Sequence, residues 1–342
     1  MAQITLQNGD IIGDYLRPYV VAEVNSSHGG NVETAKKMIE AAKASGCNCV
    51  KFQSWSAQTL YSKTYYKENP IAQRIVSKFA LSKNELMECA AYCKEIGIEF
   101  SSTPYSTDEV DDLLSMGVPY IKIASMDINN YGYLKYIAET KVPIILSTGM
   151  AEIEEVHRAV DIIKTAGNNN LALLHCISIY PAAANTIHLN NIPLLQSEFP
   201  DCPVGFSDHT LGTEIACAAT ALGAAVIEKH LTLDKQKPGM DNNMAIEPEE
   251  MSLLVKSCNN VYEAMGSKTR IVSDAEYSQR LKMRRSVIAS KDLPVGHIIT
   301  LDDLAVKRPG TGIPADKKDM LVGKKLIRAV EADTLIAEDD FE

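Results

Sequence analysis

Residues 226–231 read VIEKHL, and the reading of this stretch decides the fold. Ala224, Ala225, Val226 and Ile227 have the composition of a buried strand, yet Glu228, Lys229 and His230 follow at once. A core strand that runs straight into three ionisable groups ends either in solvent or in a polar cavity. How the other apolar runs of the chain end tells the two apart.

Seven more such runs occur: YVVAEV (19–24), CNCVKFQ (47–53), IEFSSTP (98–104), YIKIAS (120–125), PIILSTG (143–149), LALLHC (171–176) and PVGFSDH (203–209). The segments between them have helical periodicity. Ala35, Met38, Ile39 and Ala42 follow the i, i+3, i+4, i+7 pattern, and Val156, Val160 and Ile163 suggest a second helix. Gly46, Gly97, Gly117, Gly167 and Gly223 stand at helix-to-strand joints, where a left-handed C-cap is wanted. Short apolar strands alternating with helices mean parallel βα units. Eight of them within about 250 residues predict a (β/α)8 TIM barrel. No Gly-x-Gly-x-x-Gly turn follows the first strand, which weighs against an open dinucleotide-binding sheet. One connection is long, from about Ser54 to Ala80, and is expected to cover the barrel mouth as a lid or to be a solvated loop.

After Gly266 the rhythm changes. The barrel is therefore expected over residues 1–266, a polar linker over 267–284 and a small β-rich module over 285–342. That module carries an internal echo. GHIITLDDL (296–304) resembles DTLIAEDDF (333–341), with Ile299/Ile336, Asp302/Asp339 and Asp303/Asp340 identical. Two matched halves suggest a pseudo-dyad.

The composition bounds the partners. With 342 residues, 46% hydrophobic, the chain can bury a large core. A net charge of −10 argues against nucleic acid or an anionic membrane as the main partner. No apolar run approaches the ~18 residues of a membrane span, and MAQITLQNGD lacks the basic and apolar regions of a signal peptide. The eight cysteines have no structural-zinc spacing, and reduced, mostly buried thiols in a cytoplasmic protein are expected.

Barrel enzymes place their chemistry at the C-terminal ends of the strands. Here those ends read Glu23; Lys51 and Gln53; Ser101, Ser102 and Thr103; Lys122 and Ser125; Ser147 and Thr148; His175 and Cys176; Ser207, Asp208 and His209; and Glu228, Lys229 and His230. One polar strand end is ordinarily a solvated one. Eight together mean the rim of a polar cavity, which is the expected reason that VIEKHL turns ionisable. His209 and His230 end neighbouring strands and can converge on one divalent ion; two imidazoles completed by oxygen ligands suit Mn²⁺ or Mg²⁺. Lys51 and Lys122, among Ser125, Ser147, Ser178 and Ser207, make a donor-rich pocket for a phosphate and a carboxylate. A Schiff-base lysine, as in a pyruvate aldolase, is the rival use. A non-catalytic sugar- or ice-binding protein would have no need of such strand ends.

KFQ (51–53), STP (102–104), KIAS (122–125), STGM (147–150), FSDHT (206–210), EKH (228–230) and KRPGTGI (307–313) together resemble the sialic acid synthases, along essentially the whole chain. The tail is similar to the antifreeze-like (SAF) module of that family. The resemblance implies a phosphoenolpyruvate-dependent, C–C bond-forming transferase. It would condense phosphoenolpyruvate with an N-acylated aminohexose, releasing phosphate, with a divalent metal polarising the sugar aldehyde. It further implies His209 and His230 as metal ligands, with Lys51, Gln53, Thr103, Lys122, Ser125, Ser147, Ser178, Tyr180 and Ser207 around the substrates. Glu23 would handle a water or a proton, and Asp241 would contact the sugar. Arg308 would reach from the tail module into a partner's barrel, which implies a domain-swapped homodimer. N-acetylneuraminate or legionaminate is the expected product, with pseudaminic acid the alternative. Ser27, Ser178 and the PGMD of KPGMDNNMAIEP depart from the family pattern, the last two beside the expected sugar site.

Overall fold

The apolar runs form eight parallel strands: β1 (Tyr19–Glu23), β2 (Cys49–Ser54), β3 (Glu99–Pro104), β4 (Ile121–Ile123), β5 (Ile144–Ser147), β6 (Leu171–Cys176), β7 (Val204–Asp208) and β8 (Val226–His230). The computed structural model describes all residues from 1 to 342 except Pro238, so the first residue of the PGMD stretch lies outside the described residues. Strand order is β3-β2-β1-β8-β7-β6-β5-β4. The barrel seam lies between β3 and β4, where the Ser101 hydroxyl donates to the Tyr120 carbonyl at 3.2 Å. The expected TIM barrel is therefore present, and all five glycines at helix-to-strand joints have φ between 72° and 87°. Among the described residues no helix is long and apolar enough to cross a membrane.

The period-two pleat of the strands sorts their residues into two sets. Val20, Ala22, Val50, Phe52, Ile121, Ile123, Ile144, Leu146, Phe206 and Ile227 point outward. They pack with Ala35, Met38, Ile39, Ala42, Val156, Val160 and Ile163 of the surrounding helices. Each such side chain contributes about 1.5–3 kcal/mol by burial. Tyr19, Val21, Cys49, Tyr120, Ile145, Leu174 and Val226 point inward and fill the lower barrel. The N-terminal hairpin, strands Gln3–Thr5 and Ile11–Gly13, adds Ile4, Leu6 and Ile12 to that inner cluster and closes the floor. Two residues further along the strands, the inward positions turn polar: Val21 is followed by Glu23, Cys49 by Lys51, Tyr120 by Lys122, Ile145 by Ser147 and Val226 by Glu228. The barrel thus has an apolar floor and a polar throat.

Residues 54–80, expected as one lid or loop, contain two short helices, Lys63–Glu68 and Pro70–Phe79. Ser62 caps the first by accepting from the Tyr65 amide, and Pro70 opens the second at the position where its missing N–H costs nothing.

The chain divides into two units, Met1–Gly266 and Ser267–Glu342. In the second, residues 267–284, read as a polar linker, hold the helix Asp274–Met283. Its signal was the capping box of Ser273 with Glu276. The helix buries no side chain, so no apolar periodicity announced it. β9 (Ser286–Ala289) pairs antiparallel with β10 (Leu304–Lys307). The echo has a physical basis. Asp303 and Asp340 are both buried, and each closes a 3₁₀ turn, Asp303 Oδ2 accepting from the Thr300 amide at 2.7 Å and Asp340 Oδ2 from the Ala337 amide at 2.6 Å. Ile299 and Ile336 are both core residues of this unit.

Gly205 sits where the barrel is too narrow for a side chain. A Cβ there would lie 2.6 Å from both Leu174 Cδ2 and the Val226 carbonyl. Gly205→Ala is expected to destabilise the barrel by about 1–3 kcal/mol through overpacking, read as a lowered midpoint in thermal unfolding.

Candidate active site

The polar throat opens into a cavity of about 290 Å³ at the C-terminal ends of the strands. Every residue given a metal, substrate or catalytic role from the sequence lines it except Arg308: Glu23, Lys51, Gln53, Thr103, Lys122, Ser125, Ser147, Ser178, Tyr180, Ser207, His209, His230 and Asp241. Arg308 lies in the second unit, with its side chain exposed.

Pleat parity corrects part of the strand-end reading. Glu228 and His230 line the cavity, but Lys229 between them does not; it is buried on the opposite face and ion-paired to Asp208 at 2.9 Å. His175 likewise points away, its Nε2 donating to the Ile187 carbonyl at 2.6 Å while its ring stacks on Phe206. Ser102 turns outward to bond Ser54 at 2.6 Å. The rim of the cavity therefore explains two of the three ionisable groups in VIEKHL.

The throat is a charge-balanced network. Lys51 Nζ contacts Glu23 Oε2, lies 3.7 Å from Glu228 Oε2 and donates to Thr103 Oγ1 at 3.3 Å. Lys122 Nζ donates to Ser147 Oγ at 2.8 Å and lies 3.8 Å from Glu228 Oε1. Glu228 Oε1 also accepts from Ser207 Oγ at 2.9 Å. Glu228 was named at a strand end but given no role, although it stands two residues before His230 and so must share its face. It is the counter-ion of both lysines.

The two carboxylates are pushed apart. Burial raises Glu23 above the ordinary carboxylate range, against the opposing pull of Lys51. Burial also acts to raise Glu228, but the ammonium groups of Lys122 and Lys51 outweigh it and hold Glu228 below that range. Lys122 is lowered by burial, with Lys51 adding to the effect. One carboxyl is thus poised to carry a proton while the other stays ionised. Glu23 is also held firmly in place, accepting from the Asn25 amide at 2.9 Å and from Gln53 Nε2 at 3.1 Å. Gln53 is oriented in turn by two donors on its Oε1, Trp55 Nε1 and the Tyr105 hydroxyl, each at 3.0 Å. The sequence reading missed Tyr105, which follows the polar end of β3 directly but lies past the strand, where the two-residue period no longer assigns a face.

At the other side of the cavity the rings of His209 and His230 have centroids 5.3 Å apart, and Tyr180 packs on His209 at 4.2 Å. His209 Nδ1 lies 2.8 Å from the Ile177 carbonyl. A carbonyl only accepts, so Nδ1 carries a hydrogen; burial acts to lower His209, but the Cys176 sulfur and the Ile177 carbonyl prevail and raise it above the usual imidazole range. Burial, with His209 close by, pushes His230 well below the usual imidazole range and keeps it neutral. Asp241 Oδ2 lies 3.8 Å from His230 Nδ1, and the Asn25 side-chain amide bonds it. Among the described residues no three His, Cys, Asp or Glu side chains form a ready-made metal cage. Two imidazoles facing one cavity with open positions nonetheless fit a divalent ion, which would displace any proton from His209 Nε2 and take its remaining ligands from water or substrate oxygens.

Comparison with known proteins gives this geometry a family. Residues 38–270 match the NeuB family, and residues 284–342 match the SAF domain. N,N'-diacetyllegionaminic acid synthase of Legionella pneumophila subsp. pneumophila is 37% identical over 343 residues, covering 96% of each chain. N-acetylneuraminate-9-phosphate synthase of Homo sapiens is 33% identical over 346 residues, covering 98% of this chain and 96% of its own. Among solved structures, N-acetylneuraminic acid (sialic acid) synthetase from Leptospira borgpetersenii serovar Hardjo-bovis matches with a TM-score of 0.74 at 32% identity, over 81% of this chain and 94% of that one. With relatives matched over nearly their full length and both halves accounted for, this chain belongs to the NeuB family of sialic-acid-type synthases and ends in a SAF domain.

Proposed function

We propose that the chain condenses phosphoenolpyruvate with an N-acylated aminohexose to give a nine-carbon acidic sugar and phosphate. The observation that carries this reading is the pairing of two buried lysines, Lys51 and Lys122, with a histidine pair across one cavity. The lysines act as point charges, and Ser125, Ser147 and Ser207 as neutral donors, for a phosphate and a carboxylate held together. In the reaction carbon 3 of the enol attacks the sugar aldehyde, water adds at carbon 2, and the tetrahedral species loses phosphate by C–O cleavage. Glu23, raised and aimed by Asn25 and Gln53, takes the proton from that water. Asp241, oriented by Asn25, receives a sugar hydroxyl. His209 Nε2 and His230 would hold a divalent ion, Mn²⁺ or Mg²⁺, which when bound polarises the aldehyde as a Lewis acid.

Support for a 6-deoxy-diacetamido sugar, and so a legionaminic-type product, comes from two sides. The Legionella relative with that name is more similar than the human N-acetylneuraminate-9-phosphate synthase. The cavity wall also carries two exposed apolar side chains, Met126 and Met150, suited to a methyl group in place of a hydroxyl. A Schiff-base route would need a free amine. Lys51 does not offer one: burial acts to lower it, but Glu228 and Glu23 prevail and raise it, so Lys122, lowered by burial, is the lysine on which borohydride trapping with pyruvate tests that route.

Phosphate release from phosphoenolpyruvate with Mn²⁺ is expected with 2,4-diacetamido-2,4,6-trideoxy sugars and to be weaker with N-acetylmannosamine. EDTA should abolish it and added Mn²⁺ restore it; silence with every sugar from the folded protein overturns the reading. Glu23→Gln is expected to lower kcat about 10²–10⁴-fold, the range for loss of a general base, in protein shown to be folded by a cooperative thermal transition.

Arg308, exposed on the SAF domain, is proposed to enter the cavity of a partner subunit in a homodimer. Arg308→Ala and Lys122→Met are each expected to be inactive as homodimers. Co-refolding the two should restore turnover, because one site of each mixed dimer is then complete. No recovery from a verified mixed dimer would refute the assignment of Arg308.

A further inference from the structure

The Lys229–Asp208 pair poses a question that the catalytic cavity does not answer. Its side chains are 1% and 0% exposed, and it faces away from the substrate cavity. A buried ion pair contributes little net stability, and well-packed apolar residues of similar volume in its place are often neutral or stabilising. What the pair supplies is direction. Lys229 Nζ donates to Asp208 Oδ2 at 2.9 Å and to the Thr210 carbonyl at 2.5 Å. Asp208 Oδ1 accepts from the Thr210 amide at 2.8 Å and from its hydroxyl at 2.7 Å. The residues on both sides of His209 are therefore tied to the residue that immediately precedes His230.

The location matters because the backbone ladder stops there. β7 and β8 are paired at Phe206–Ile227, Ser207–Glu228 and Asp208–Lys229, and the pairing goes no further. His209 is one residue past the last rung and past the end of its strand. Side-chain bonds take over at the point where main-chain bonds cease to fix the distance between the strands.

We propose that Asp208, Lys229 and Thr210 form a positioning clamp on the outer face of the barrel that sets the spacing of His209 and His230 for a divalent cation. The proposal rests on the reading that these two histidines hold such an ion. The pleat puts the clamp back to back with the ligands: Ser207 and His209 face in while Asp208 faces out, and Glu228 and His230 face in while Lys229 faces out.

The test is Mn²⁺ binding to the full-length protein without substrates, followed by electron paramagnetic resonance of the free ion, alongside the thermal midpoint. The variants are Asp208→Asn/Lys229→Met, which removes the charge from both partners and keeps an acceptor for the Thr210 amide, and Thr210→Val, which removes one hydroxyl and no charge. The double variant is expected to fold and to bind Mn²⁺ about 10–100-fold more weakly, the range for loss of groups that orient metal ligands. Thr210→Val should weaken binding by a smaller factor at an unchanged midpoint. In turnover, both should need more Mn²⁺ and recover kcat when it saturates. Wild-type affinity in the folded variants overturns the clamp and leaves the metal reading intact. Absence of Mn²⁺ binding by the wild type overturns the metal reading, and the clamp with it.

Discussion

Glu228 sits between Lys51 and Lys122, and the working of the throat depends on that contact. Two ammonium groups in a buried cavity repel each other and lose hydration, and without a counter-charge at least one would shed its proton. A carboxylate within 4 Å of both opposes that loss, and its long contacts of 3.7 and 3.8 Å are ones a ligand oxygen can replace. Ser207 fixes the orientation of that carboxylate, so a neutral strand-end hydroxyl on β7 indirectly sets the position of charges on β2 and β4.

This balance makes the apolar floor necessary. Water entering from below would raise the local dielectric and weaken every interaction in the network. Tyr19, Cys49, Tyr120, Ile145 and Val226, closed off by Ile4, Leu6 and Ile12 of the N-terminal hairpin, exclude it. The same strands therefore serve stability at one end and chemistry at the other, with the change made between consecutive inward positions. Val21 to Glu23 and Val226 to Glu228 are such steps, and Val21 and Glu228 are neighbours across the β1–β8 ladder.

Much of this was legible in the sequence because parallel strands buried on both faces read as continuous apolar runs. The run lengths and the glycine joints marked the barrel, and the polar run ends marked its mouth. What the runs do not carry is parity. In VIEKHL the three ionisable residues look alike, and only the two-residue period assigns Glu228 and His230 to the cavity and Lys229 to the far side. Had parity been counted back from His230, Glu228 would have been identified as a site residue. Tyr105 and Asn25 were less accessible, because they act from loops where no period holds. The helices in 54–80 and 267–284 were missed for a different reason. They bury few side chains or none, and the mark each carries is at its start: a cap at Ser62 or Ser273, or the proline Pro70.

Asn25 shows why the Asp241 side of the cavity is harder to read than the lysine side. It is buried with φ of 38°, a left-handed conformation that asparagine tolerates better than most residues. From there its backbone N–H bonds Glu23 and its side chain bonds Asp241, more than 200 positions along the chain. Lys51, Lys122, Ser147 and Ser207 stand on strands, so a regular pattern places them. Asp241 and Asn25 are placed by each other. A residue whose position depends on one distant side chain rather than on a ladder leaves no periodic trace, and substitutions in either loop move both partners. The loop side of the cavity can therefore change shape while the charge-balanced throat, fixed by strand register, stays as it is, and under the proposed function this would alter the choice of sugar without altering the condensation.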